Sequence, residues 1–88
     1  MFRLWAREFK ETHMIKDTVI EDSSSESRTH KIFHAIEKAC EEFDLAQPIW
    51  LENNITDFKK RAKVRFTQDS FMEEIPFDYL EIQILEED

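Results

Sequence analysis

An α+β fold follows from three observations: alternating apolar patterns near both ends of the chain, one strongly amphipathic helical stretch between them, and a length that leaves room for a single domain. The expected order is ββααβ, a three-stranded antiparallel sheet with two helices packed on one face. At 88 residues such a chain buries only about 60–65% of its unfolded surface, so the core is marginal. Eight Phe, two Trp and one Tyr partly offset this with large apolar areas.

Residues 2–9 (FRLWAREF) alternate, with Phe2, Leu4 and Ala6 on one face and Arg3, Trp5, Arg7 and Phe9 on the other. Residues 14–21 (MIKDTVIE) read as the hairpin partner, joined through a loop longer than two residues because no Asn-Gly is present. DSSSES, residues 22–27, is a polar, flexible loop whose end supplies a helix N-cap, Ser27 or Thr29. A helix follows over about 28–44; at about 100° per residue, Ile32, Ile36, Ala39, Cys40 and Phe43 share one face, with Phe33 at its edge. LAQPIW, residues 45–50, is a connector because Pro48 cannot continue a helix.

Asn53 or Asn54 then caps a second helix over roughly 55–63, with Ile55, Phe58 and Ala62 apolar. AKVRFT, residues 62–67, fits two periods at once: Ala62, Val64 and Phe66 alternate, yet Phe66 also continues the helical stripe. Helix to about 64, then an irregular turn through TQDSF, is the expectation. FDYLEIQIL, residues 77–85, is a strand with Leu80, Ile82 and Ile84 on one side and Tyr79, Glu81 and Gln83 on the other. It pairs with the first strand, which becomes the centre of the sheet, and residues 86–88 form a frayed tail.

Composition excludes several functions. Glycine is absent, so phosphate-cradling loops and dinucleotide fingerprints are ruled out. One cysteine, Cys40, admits no internal disulfide and no two-cysteine metal motif. No apolar run approaches the roughly 20 residues of a membrane span, and MFRLWAREFK is no signal peptide. The expected location is the cytoplasm. The net charge of −8 opposes nonspecific binding to nucleic acid or anionic lipid.

Four groups of residues could carry chemistry. His30, His34, Glu37 and Glu41 form one helical stripe between about 140° and 200° from Ile32, opposite the apolar face centred near 40°. Imidazoles one turn apart can share a metal ion or respond to pH, but a stripe facing water lacks second-shell support. Cys40 falls near 80°, at the core edge, and reads as a small buried hydrophobe. The basic run Lys59, Lys60, Arg61, Lys63 and Arg65, flanked by Phe58 and Phe66, suits single-stranded nucleic acid, an acidic partner protein, or neutralisation of the acidic residues 66–88.

Those acids, Asp69, Glu73, Glu74, Asp78 and Glu81 with Glu86, Glu87 and Asp88, need a cleft before they could do acid–base work. No nucleophile–base–acid set is evident, so neither an enzyme nor a cofactor is expected. The fourth group is the sheet face opposite Phe2 and Leu4. Trp5, Phe9, Arg3, Arg7 and Tyr79 share it, and these residue types are enriched at interface hot spots. Unless Trp50 and the 45–51 connector fold over that face, it forms an apolar patch open to a partner. The expected function is protein–protein binding, with homodimerisation through this face. Nucleic-acid binding by 59–65 and a metal or pH-responsive site at His30 and His34 are the alternatives.

Overall fold

The structure is a computed structural model and describes residues 1–87. Its elements are β1 (Phe2–Lys10), β2 (His13–Asp22), α1 (Arg28–Glu42), α2 (Glu52–Arg61), β3 (Lys63–Phe66) and β4 (Tyr79–Glu86), with a 3-10 turn at Gln68–Ser70. The class is the expected α+β, with two helices and an antiparallel sheet. The sheet, however, has four strands, in the order β2-β1-β4-β3. β1 is internal, between β2 and β4, as its two apolar-alternating neighbours require.

The additional strand corrects the reading of residues 62–67. Helix α2 stops at Arg61 because Ala62 turns into the left-handed region (φ 54°, ψ 29°), donating its N–H to Phe58 O at 2.9 Å. Alanine in that conformation costs about 1 kcal/mol. The turn aims residues 63–66 along β4, with Val64 opposite Ile82 and Phe66 opposite Leu80. All four of these side chains are buried. Two core side chains and a ladder of hydrogen bonds outweigh one strained residue.

A second correction concerns the hairpin. Its loop is only two residues, Glu11 and Thr12, at φ 51° and 67°. This is the primed-turn geometry usually given to Asn-Gly, here adopted by residues that disfavour positive φ. The loop before β4 holds it in place: Asp78 N–H donates to Phe9 O at 2.8 Å, and the Asp78 carboxylate accepts from Glu11 N–H at 2.8 Å.

Helix α1 begins where expected, with the Ser27 hydroxyl accepting from His30 N–H at 3.2 Å. Helix α2 begins earlier than expected, with Leu51 at the N-cap position. Asn54 lies one turn inside instead. Its side-chain oxygen accepts from Leu51 N–H at 2.9 Å and from the Ser70 hydroxyl at 3.0 Å, so it ties the helix start to the 3-10 turn. Glu86 meets Arg3 and the N-terminal amine, and Glu87 meets Arg28; Asp88, the end of the expected frayed tail, lies outside the described residues.

The core lies between the sheet and the helices. Phe2, Leu4 and Ala6 of β1 meet Ile32, Ile36 and Ala39 of α1 in one cluster that also holds Phe58, Phe66 and Ile82. Glu8 continues the inward-facing series of β1 and is 3% exposed. Burial raises its pKa above the ordinary 4.5, and Lys16 across the strand pair opposes that rise. A raised folded-state value means that Glu8 favours folding fully below pH 4.5 and loses that contribution as pH climbs through the folded value. Glu8→Gln is therefore expected to be more stable than the parent at pH 7, with the advantage gone by about pH 4. Urea unfolding at both pH values checks this; equal differences at both would refute it.

Candidate protein interface on the outer sheet face

Strand alternation decides which side chains reach the face opposite the core. In β1 these are Arg3, Trp5, Arg7 and Phe9, and register places Glu21, Val19, Asp17 and Met14 of β2 beside them in that order. On the other side Phe9 lies opposite Tyr79, Arg7 opposite Glu81, and Trp5 opposite Gln83. Lys63 and Arg65 of β3 then stand opposite Gln83 and Glu81. Every residue named from the sequence as an interface candidate, Trp5, Phe9, Arg3, Arg7 and Tyr79, thus occupies one surface.

Charge and aromatic groups interleave across that surface. Arg7 lies over the Trp5 ring at 3.9 Å and 5.8 Å from the Phe9 centroid. Phe9 stacks on Tyr79 with centroids 5.1 Å apart, and Arg65 covers Tyr79 from 4.7 Å. Such cation–aromatic contacts are worth about 0.5–1 kcal/mol each at exposed sites. Glu81 binds both guanidiniums: it pairs with Arg7 and accepts from Arg65 Nε at 2.7 Å. That hydrogen bond raises the Arg65 pKa above its ordinary value. Gln83 accepts from Arg7 Nη2 at 2.7 Å, and Trp5 Nε1 donates to Asp17 at 3.0 Å. Arg3 Nε approaches Glu21 at 3.2 Å. These contacts hold the side chains of the face in one arrangement.

The connector does not cover this face. Trp50 packs edge-on against Phe66 (4.9 Å) and Phe58 (5.4 Å), both on the core side. The buried apolar residues of α1 and α2, with Phe71 and Phe77, belong to the same core. Trp5, Arg7, Phe9 and Tyr79 stay partly exposed.

The basic run is divided by the fold. Lys59, Lys60 and Arg61 end α2 and make no ion pair among the described residues. Lys63 and Arg65 instead join the aromatic face. Among the described residues, Arg65 alone of the five cations meets an acid of the 66–88 segment, Glu81. His30 and His34 are exposed on α1, and His30 Nδ1 faces Glu26 at 3.2 Å. No group of three His, Cys, Asp or Glu side chains among the described residues is placed to hold a metal. Cys40 is buried in the core, and desolvation pushes its thiol up to about 11, so it is protonated at neutral pH.

Sequence reading places Glu81 and Gln83 on the side of Tyr79 but does not anticipate Asp17, Val19 and Glu21 as members of the same surface. The alternation of both strands contains that information, but the hairpin register needed to use it depends on the two-residue turn. Searches of protein-family models, characterised proteins and solved structures found no match to this chain. Among the described residues no helix is long and apolar enough to cross a membrane.

Proposed function

We propose that this is a cytoplasmic protein-binding domain that pairs with a second copy of itself through the outer sheet face. The observation that carries the reading is how charge is distributed across the sheet. One margin, on β2, carries Asp17 and Glu21; the other, on β3, carries Lys63 and Arg65; Trp5, Phe9 and Tyr79 lie between them. A two-fold axis parallel to the strands sets the β2 margin of one copy over the β3 margin of its partner. Acid then meets base at both edges, and aromatic centre meets aromatic centre, as a self-complementary interface requires.

Size sets the expected strength. Four strands about 4.8 Å apart and about eight residues long at about 3.3 Å each give roughly 500 Å² per face. Two faces bury about 1,000 Å², the lower bound for a specific interface, so the dimer is expected to be weak and concentration-dependent. Asp17, Glu21 and Glu81 on the face weigh against the alternative, stacking of single-stranded nucleic acid on the same aromatics.

Light scattering over a concentration series tests the reading. The expected mass rises from 10.7 kDa towards twice that value, while Trp5→Ala and Lys63→Glu remain monomeric over the same range. A monomer at every concentration, or a dimer indifferent to both substitutions, would overturn it.

A further inference from the structure

We infer that the groove between the free edge of β2 and helix α1 is a strand-addition site for an extended polypeptide segment carrying cationic side chains. The site adjoins the outer face, sharing Val19 and Glu21 with it, and extends from there along the β2 edge to α1. β2 ends the sheet and, among the described residues, pairs only with β1. Every second residue along it therefore directs its N–H and C=O away from the sheet, and such groups template another strand.

A groove of about 1070 Å³ runs along this edge. Six consecutive residues, Val19–Ser24, form one wall. Val19–Asp22 are the last four residues of β2 and alternate between faces, so this part of the wall is the backbone edge itself, and Ser23 and Ser24 of the following loop extend it. The other wall is the outward stripe of α1 with His30, Phe33, His34 and Glu37. A peptide laid antiparallel to β2 would gain main-chain hydrogen bonds from the strand and side-chain contacts from the helix. Phe33, 50% exposed, offers an apolar seat on the helix wall, and Val19 another on the outer-face side of the edge.

Charge selects the occupant. Glu21, Asp22, Glu26 and Glu37 line the groove against the ammonium of Lys38, with Glu21 also meeting Arg3 and Glu26 meeting His30. Hydrogen bonding from the Ser24 side chain, and from its N–H, which donates to Asp22 Oδ1 at 2.8 Å, lowers the pKa of that carboxylate. Two copies joined through their β2 edges would set these carboxylates against each other, whereas a lysine- or arginine-bearing segment neutralises them.

The test uses the full chain and two capped heptapeptides, one of alternating lysine and valine, the other of alternating glutamate and valine. Amide NMR shifts are expected at Val19–Ser24 and His30–Lys38 with the lysine peptide alone. Glu37→Lys, a substitution at an exposed residue, is expected to weaken binding about fivefold or more while leaving the rest of the spectrum unchanged. No binding up to about 1 mM, equal binding of the glutamate peptide, or shifts centred on Trp5 and Tyr79 would overturn the assignment. Movement of the groove amides on dilution without peptide would also overturn it, by giving the groove to a second copy.

Discussion

Glu81→Ala is expected to destabilise the protein by about 3 kcal/mol, the value typical of removing one partner from a buried ion pair. Glu81 is 5% exposed at its side chain and Arg7 only 12%, so the pair behaves as buried although no helix covers it. The shielding comes from neighbours on the same face: Trp5 and Phe9 flank Arg7, while Arg65 and Tyr79 flank Glu81. Without the carboxylate, the Arg7 guanidinium retains Gln83 as its acceptor, and its Nε is already buried without one. Arg65 contributes less to the loss because it is 60% exposed and can turn to water. For a domain of this size about 3 kcal/mol lowers Tm by roughly 12–24 °C. Replacing Arg7 and Glu81 together by leucine removes the stranded charge and is expected to recover most of that loss. Thermal melts of the single and double variants measure both effects. A Glu81→Ala melt within a few degrees of the parent would show that water already screens the pair.

The positions of Arg7 and Glu81 show where sequence reading succeeds. Period-two alternation by itself puts Arg7 with Trp5 and Phe9, and Glu81 with Tyr79, because strand parity is a local property. Their meeting also follows in outline, since the last strand pairs with the first. Register is not legible: which residue faces Arg7 depends on where two strands start, and the hairpin turn hides that start. Glu11 and Thr12 have no propensity for positive φ, and the Asp78 carboxylate that holds the turn is 67 residues away. The division of the basic run has the same origin. Lys59 to Arg65 is one uninterrupted patch in sequence, and a single left-handed residue, Ala62, sends its two halves to different surfaces. Helix α1, by contrast, is legible to within two residues because its cap, its stripe and its polar face all agree.

The left-handed turn at Ala62 has an energetic consequence that can be measured at Phe66. Phe66→Ala is expected to cost about 3–5 kcal/mol, the range for a fully buried phenylalanine. Its side chain is wholly inaccessible, Trp50 meets it edge-on at 4.9 Å, and its backbone pairs with Leu80. At 88 residues total stability is about 4–13 kcal/mol, so the substitution removes a large share and leaves the chain partly unfolded near 37 °C. The loss should fall on one corner first. Phe66 is the reason β3 stays against β4, since the strand has only four residues and Val64 is its other buried side chain. Without Phe66, the strain at Ala62 is no longer repaid, and residues 62–66 can continue α2 as their helical stripe allows. Phe66→Leu keeps most of the apolar volume and is expected to lose about half as much. Circular dichroism melts rank the three proteins, and hydrogen exchange at residues 63–66 reports whether β3 detaches before the rest. If Phe66→Ala melts within a few degrees of the parent, β3 is not anchored by this side chain. If exchange at 63–66 rises only together with that of β1, the strand is part of the cooperative core rather than its weakest edge.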